Sequence, residues 1–594
     1  MAKPQVDPFT MEIIKDALVA IGDEMFVATQ RTSMSTIIYE VLDYACGLTD
    51  HQAQLISQGN GVAGFLGTLT FGVQSVIDKF GLDGLEPGDI ILQNDPYTGG
   101  GTHLSDVAQI MPIFYDGKVV AFSANKGHWN EVGGMAAGSW TTDATEVYQE
   151  GLQFPCIKLF KGGEVDQSLV DLIAANVRTP AMTLGDMFAQ AASLRLGAKR
   201  FQEMCDRYGL ELVQAGIEAL LDYGEEMTRQ ELARLPKGVY EAVDYIDDDG
   251  VGNGPFKVCV KVTIADDEFI CDFTGTHPQV PGPVNCSRTG LHSGARTIFK
   301  ALTNPSIPAN EGCFRPLKVV CPDRTIFTCE RPAATSTYWE TMLYVTDLVW
   351  KAMAPVVPER LPAGHFLSVC GIVLSGEHPD TGELFILCEP QAGGWGAGHD
   401  KDGERGLVCV GDGETYVIPV EVCETRYGVL VEQYGFDICE GGAGRYRGGR
   451  GLVRDYRITA DEAWYTGTFG RHKFMPWAME GGQEGSPNYT KFIFADGREP
   501  IVVGKSARVH LKKGDVARLI TATGGGWGNP YDRPVEKVVE DVRNGYITLE
   551  MAEKDHGVVL NPHALEVGSD PPHDLTVERG EDLIAEDGEP RVRL

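Results

Sequence analysis

Apolar residues recur at helical spacing near the amino terminus, where Ile13, Ile14, Leu18, Ile21 and Met25 follow Asp7-Pro8. An aspartate cap with proline at the first helical position opens an amphipathic helix there. A strand-like section at residues 44–48 follows, then a glycine-containing helix over 64–80 and a strand over 89–93. Two apolar runs, 107–115 and 119–124, are separated by Asp116-Gly117. That dipeptide predicts a tight β-hairpin, because a type I′ turn needs positive φ at both central residues. The pattern turns strongly helical over 169–235, as a bundle or an arm packed beside the first region. Alternation over 256–273 reads as a second hairpin with Asp266-Asp267 near its tip, and a helix over 337–353 ends before Pro355.

The last third is rich in glycine and short strands, at 384–388, 416–420, 452–458, 491–494 and 508–511, with short helices at 535–544 and 548–553. The pattern predicts an α+β fold: a large multi-layer subunit with mixed sheets, a helical segment in the first half and a glycine-rich, β-containing C-terminal part. The expected divisions are 1–165 (α+β), 166–240 (helical), 241–380 (α+β), 381–567 (glycine-rich) and a mobile acidic tail, 568–594. A chain of 594 residues exceeds one core and implies roughly three to four domains or one large layered body.

Composition adds limits. With 43% hydrophobic and 23% charged residues the chain has an ordinary globular makeup. Its net charge of −33 argues against nucleic-acid or anionic-membrane partners, which need clustered Lys and Arg. No targeting peptide or membrane span is expected, so the predicted location is cytoplasmic. The 14 cysteines form no Cys-x-x-Cys pair and are expected to be reduced and buried.

Candidate chemistry concentrates between Asp95 and His128. Gly99-Gly100-Gly101 permits a tight turn before His103-Leu104-Ser105-Asp106. With a two-residue loop at Asp116-Gly117, Asp106 faces Gly127 and Ser105 faces His128, so the hairpin returns His128 beside His103 and Asp106. Imidazole with carboxylate suits Zn²⁺, Mn²⁺ or Fe²⁺ better than Mg²⁺ or Ca²⁺. Spacing alone leaves two readings: a metal centre, or a polar hairpin base whose histidines cap backbone groups. The glycine clusters 393–398, 441–444 and 524–528 lack the strand-then-helix context of a dinucleotide site, and Gly504-Lys505-Ser506 lacks the leading glycine of a P-loop. They read as tight turns and close packing. Arg445, Arg447 and Arg450 either grip an anion or stitch acidic neighbours together.

Ordered motifs across nearly the whole chain resemble the hydantoinase B/oxoprolinase family. They include Arg31-Thr32-Ser33-Met34-Ser35 with Glu40 and Asp43, Asn94-Asp95-Pro96-Tyr97, Gly101-Thr102-His103-Leu104-Ser105-Asp106, and His128 with Val132-Gly133-Gly134. Glu150-Gly151, Asn176-Val177-Arg178, Asn310-Glu311-Gly312, Tyr446-Arg447-Gly448-Gly449 and Gly524-Gly525-Gly526-Trp527-Gly528 follow. The residue before Val-Gly-Gly is normally aspartate and is Glu131 here, which puts that residue's role in doubt.

The resemblance implies a division of labour. An A-type partner with an actin-like ATPase fold binds Mg-ATP, while this chain holds Zn²⁺ or Mn²⁺ through Asp43, His103, Asp106 and His128, in an α₂β₂ heterotetramer. His103, Asp106, His128 and Glu131 are the implied catalytic residues, Glu131 as the carboxylate that orients a ligand histidine. The implied activity is ATP-dependent hydrolysis of a cyclic amide (caprolactam, a hydantoin or 5-oxoproline), in which phosphorylation of the carbonyl oxygen activates the carbon. The alternative is ketone carboxylation of the acetone or acetophenone type through an enolate. Two further classes fit the residues: a facial-triad iron oxygenase, which needs a cupin-like strand repeat not evident here, and a subunit whose metal is only architectural.

Overall fold

The computed structural model describes residues 6–307, 309–437, 440–560 and 592–593. Helix α1 (Pro8–Thr32) starts as its sequence predicts, with Asp7 accepting hydrogen bonds from the Phe9 and Thr10 amides and proline in the first turn. Its buried stripe, Ile14, Leu18, Ile21 and Met25, follows the helical spacing. After a single turn, α2 (Thr36–Tyr39), come the strands β1 (Tyr44–Asp50) and β2 (Leu55–Gly61). The helix expected over 64–80 is two helices, α3 (Ala63–Leu66) and α4 (Leu69–Phe80), broken at Gly67-Thr68. There, a Cβ on residue 67 would lie 2.3 Å from the Ser293 hydroxyl.

A seven-stranded sheet dominates the first part of the chain. It adds β3 (Ile90–Gln93), β4 (Asp106–Tyr115), β5 (Lys118–His128), β6 (Ile157–Lys161) and β7 (Glu164–Val165), in the order β2-β1-β5-β4-β3-β6-β7. Every neighbouring pair is antiparallel. The central strands are buried on both faces, with α6 lying across β4 and β5. That explains their near-continuous apolar character. The helical segment resolves into α5 (Gln167–Asn176), α6 (Pro180–Tyr208) and α7 (Leu210–Arg234), and α1 packs along both long helices.

A second sheet, ordered β11-β10-β9-β8, comprises β8 (Gly238–Ile246), β9 (Phe256–Ile264), β10 (Phe269–Asp272) and β11 (Leu317–Val320). Its β9–β10 hairpin is the predicted one. Helix α8 (Arg288–Thr303), the turn α9 (Glu311–Phe314) and the almost wholly buried α10 (Trp339–Met353) complete this part.

The glycine-rich third carries two sheets. One orders β12 (Gly371–Glu377), β13 (Leu384–Glu389), β16 (Glu462–Thr468) and β19 (Lys505–Lys512) as β13-β12-β16-β19. The other orders β14 (Val429–Phe436), β15 (Leu452–Ile458), β17 (Tyr489–Ile493), β18 (Ile501–Val503) and β20 (Val516–Ile520) as β14-β15-β20-β17-β18. The strand expected at 416–420 is absent: this stretch is irregular and leads into helix α11 (Val420–Arg426). Ile418 N donates to the buried Glu389 carboxylate instead of to a ladder partner. Helices α12 (Val535–Arg543) and α13 (Leu549–His556) follow, and after them β21 (Val558–Val559) pairs in parallel with β22 (Val592–Arg593). The tail expected to be mobile falls almost wholly outside the described residues.

The three glycine clusters meet each other. A Cβ on Gly394 would lie 2.8 Å from Gly524 N, and one on Gly442 would lie 2.5 Å from Gly524 O, so backbone packs on backbone there and no side chain fits. Arg447 stitches acidic neighbours, pairing with Asp541 at 3.0 Å.

One cluster of buried apolar side chains runs from Ile14 to Trp527, and a buried ion triad crosses it. Arg471, 1% exposed, pairs with Asp347 of α10 at 2.5 Å and with Asp244 of β8 at 3.1 Å. Trp477 Nε1 also donates to Asp347. Replacing Arg471 by methionine removes the ion partner of Asp347 and leaves Asp244 only Lys351 at 3.0 Å, and the expected cost is about 3–5 kcal/mol, read as a lower urea midpoint. Combining Arg471→Met with Asp244→Asn and Asp347→Asn should recover most of it. An unchanged midpoint in the single variant would show that the triad does not brace the fold.

Candidate metal centre

The hairpin turn forms as the sequence predicts, with Asp116 at φ 48° and Gly117 at φ 76°. Pairing begins with Tyr115 opposite Lys118 and Phe114 opposite Val119. An irregularity at Ile113/Phe114 then leaves Val120 unpaired, so Ile113 faces Ala121 and Asp106 faces His128. The expected register, Asp106 opposite Gly127, is therefore off by one residue toward the turn's far end. A single bulge residue flips every later side chain to the other face, and here it brings His128 level with Asp106. On the other side of β5, β1 pairs Tyr44 with Gly127, and His128 N donates to Asp43 O at 3.0 Å. Asp43, His128 and Asp106 thus form one row across the ends of three adjacent strands.

His103 joins the row through a turn closed by Asp106 N donating to His103 O. Upstream, Gly101 lies so close to the preceding loop that a Cβ would meet Asp95 O at 2.1 Å. His103 Nε2 lies 2.8 Å and His128 Nδ1 3.2 Å from the same carboxylate oxygen, Asp106 Oδ1. The other oxygen, Oδ2, accepts from Thr102 Oγ1 at 2.6 Å. The buried Lys126 donates to Gly100 O and lies 3.5 Å from that same hydroxyl. Asp43 Oδ2 is 3.9 Å from His128 Nδ1.

Electrostatics follow from this packing. Burial opposes the charge on Asp106, but the two imidazoles outweigh it and hold its carboxyl below the usual carboxylate range. Burial lowers His103. His128 is held well above its ordinary value: burial works against its charge, and Asp106, Cys388 and Asp43 outweigh it. Burial pushes Asp43 up to about 7 against the pull of His128.

The proton on His103 is fixed from outside the cluster. Its Nδ1 lies 3.0 Å from the Ser336 carbonyl, which can only accept. The ring's other nitrogen, Nε2, is therefore the one that meets Asp106 Oδ1, donating to it when the ring is charged and leaving room for a cation between them when it is neutral. Burial works against the charged ring and so favours the second arrangement. The donor atoms of His103, Asp106 and His128 all lie within 4.8 Å of one another. Two imidazole nitrogens and a carboxylate oxygen fit Zn²⁺ or Mn²⁺, so the residues present suit the implied ion. Asp43 stands beside this trio rather than within it.

Glu131 is placed elsewhere. It is fully buried, and its oxygens accept from Gly133 N, Gly138 N and Arg178 Nη1 at 2.8, 3.0 and 2.8 Å. No hydrogen bond to either imidazole appears among the described residues. The carboxylate that stands behind His103 is Glu150, which accepts from Thr335 N at 2.7 Å and Ser336 N at 2.8 Å and so holds the segment bearing the Ser336 carbonyl. Burial pushes Glu150 up to about 7, against those two amides. Sequence reasoning placed Glu150-Gly151 among the family motifs without giving it this task.

The cluster opens on a cavity walled by Tyr338 and Trp339 from the start of α10, Cys388 and Glu389 from β13, and Asp412 and Thr415 from the irregular stretch before α11. Nothing local marks these residues in the sequence; they reach the site only through long-range packing.

A buried two-histidine, one-carboxylate cluster at the strand ends of a large α+β body defines the class: a candidate metal-site protein. The chain belongs to the hydantoinase B/oxoprolinase family, whose model matches residues 7–530. It is 33% identical over 558 residues to an uncharacterized protein of Methanocaldococcus jannaschii, covering 93% of this chain and 96% of that one. It is 30% identical over 573 residues to caprolactamase subunit beta of Pseudomonas jessenii, covering 94% and 97%. The crystal structure of the ATP-dependent caprolactamase from that organism superposes with TM-score 0.88 at 28% identity over 94% of this chain and 98% of that one. A nucleotide-free acetone carboxylase shares the fold, with TM-score 0.85 at 18% identity over 99% of this chain and 81% of that one.

The two glutamates separate in a chelator-competition titration with Zn²⁺. Glu150→Ala, which frees the Ser336 segment, is expected to weaken Zn²⁺ binding by about 10–100-fold, whereas Glu131→Gln leaves it unchanged. The opposite ranking would return the orienting role to Glu131.

Proposed function

We propose that the chain is the metal-binding subunit of an ATP-dependent hydrolase of cyclic amides, of the lactam, hydantoin or 5-oxoproline type. In this reading an A-type ATPase subunit binds Mg-ATP and phosphorylates the substrate's carbonyl oxygen, and the site described above completes ring opening. The pair assembles as an α₂β₂ heterotetramer. The observation that carries the reading is the buried convergence of one donor atom each from His103, Asp106 and His128, all within 4.8 Å of one another, a geometry that suits a cation. Similarity over nearly the full length of a protein named as the beta subunit of caprolactamase supports it.

The ring amide of a lactam is a poor electrophile. Once its oxygen is phosphorylated, water adds to the carbon and the ring C–N bond breaks as the nitrogen takes a proton. A second water then converts the acyl phosphate to carboxylate and phosphate. A Zn²⁺ or Mn²⁺ ion, when bound, supplies Lewis acidity and lowers the pKa of water toward neutrality. The residues of this chain set the geometry. Asp106 is aimed by Thr102, His103 is kept in one tautomer by Ser336, and Asp43 adds a carboxylate beside His128. The apolar cavity wall excludes bulk water, which strengthens each of these interactions.

The test uses the pair co-purified with its ATPase partner, offered lactams, hydantoins and ketones, with and without labelled bicarbonate. ADP should form in step with ring-opened product, and no label should enter it. Incorporation of label would replace hydrolysis by ketone carboxylation, and ring opening without ATP consumption would remove the phosphorylation step. His103→Ala should assemble and melt as the parent does, contain no stoichiometric metal, and lose roughly 10³-fold or more of the coupled turnover. Collapse of the fold with loss of metal would make the site architectural.

A further inference from the structure

The cavity beside the cluster holds three polar atoms without a hydrogen-bond partner among the described residues. Trp339 Nε1, Asp412 Oδ2 and Thr415 Oγ1 are each buried and lack a hydrogen-bond partner among the described residues. All three residues line the cavity together with His103, Asp106 and His128. Trp339 is 9% and Thr415 6% exposed. Native proteins leave few buried polar atoms unpaired, so three in one cavity mark a place that a ligand completes.

Their chemistry narrows the ligand. An indole N–H only donates, a carboxylate oxygen accepts, and a hydroxyl does either. Besides the carboxyl groups of Asp43 and Glu389, much of the remaining wall is apolar, with Ile37, Val62, Phe65, Met342 and Leu343. A donor and an acceptor set in an apolar cavity complement an amide locked cis in a small ring, which presents its C=O and N–H on the same edge with methylenes behind. A ketone offers an acceptor only. An open-chain amide is trans and turns the two groups apart.

We infer that Trp339, Asp412 and Thr415 are the specificity-determining residues that read a ring amide beside the metal cluster, an assignment that rests on the cyclic amide reading above. Trp339 Nε1 donates to the carbonyl oxygen, Asp412 Oδ2 accepts from the ring N–H, and the Thr415 hydroxyl supplies the further donor that a second ring carbonyl would use.

The test is calorimetric titration of the full chain, loaded with Zn²⁺, by ε-caprolactam, N-methyl-ε-caprolactam and cycloheptanone. A site built to pair an N–H rejects analogues that lack it. Caprolactam should therefore bind at least about tenfold more tightly than either analogue. Asp412→Leu should bring caprolactam down to the N-methyl value and leave the N-methyl compound unchanged. Trp339→Phe should weaken all three ligands alike. Equal binding of all three ligands by the parent chain, as expected if ordered water satisfies the three atoms, overturns the assignment, as does binding of none. Parent-like affinities in both variants overturn it too. The ligand series and Trp339→Phe keep the assignment falsifiable if Asp412→Leu does not fold. No ATP enters these measurements. A chain that discriminates N–H from N-methyl without ATP-coupled turnover keeps this assignment and loses the hydrolase reading, and the reverse result does the opposite.

Discussion

The backbone pairing of β5 with its two neighbours is the constraint on which the site depends. On one side β1 presents Asp43, on the other β4 presents Asp106, and the ladder holds His128 between them. The bulge at Val120 sets which side chains share this row. Without it His128 would pair with Ser105, and its side chain would lie on the opposite face from the one that meets Asp106. Ladder hydrogen bonds are shared over the whole strand, so the row is held by many contacts and not by the ligands themselves. Such preorganisation on strands is more exact than a site built on loops.

The roof of the cavity has a separate origin. The segment before α10 gives one carbonyl to His103 and two amides to Glu150. The same helix, further along, anchors Asp347 against Arg471. One element therefore joins the proton bookkeeping at His103 to the ion triad between β8 and the glycine-rich third. The glycine clusters serve the same end from the other side. Their backbones lie in contact, and the irregular stretch that carries Asp412 and Thr415 starts close by, with Gly393 bridged to Leu407.

Different parts of this arrangement were legible in the sequence for different physical reasons. Asp116-Gly117 announced its turn because only a few residues adopt two successive positive φ values. The register could not be read: residues 119–122 are Val-Val-Ala-Phe, and a strand buried on both faces has no polar alternation to fix it. Asp43 carried no local signal, and only the family resemblance raised it; the structure sets it at the edge of the trio. Glu131 lay close in sequence to His128, yet its carboxylate serves the 133–138 turn and Arg178. Glu150, distant in sequence from His103, reaches it through the Ser336 segment. The 416–420 stretch looked like a strand because its residues are β-formers, but its Ile418 amide is taken by Glu389 before any ladder can form.

The charge balance of the cavity argues in the same direction as its geometry. Asp43, Asp106, Asp412 and Glu389 all line it, and among the described residues few cations besides His128 face them. Lys126 reaches the cluster only through Thr102, and Arg454 lies 3.7 Å from Glu389. Burial pushes both Asp43 and Asp412 up to about 7, the second also because it faces the first. Several carboxyl groups in one desolvated space cannot all ionise unless positive charge joins them. On the function proposed above, a divalent cation at His103, Asp106 and His128 would supply that charge where their donor atoms converge. On that reading the surplus of carboxylates is no defect of packing but the protein's half of a charge balance that a cation would complete.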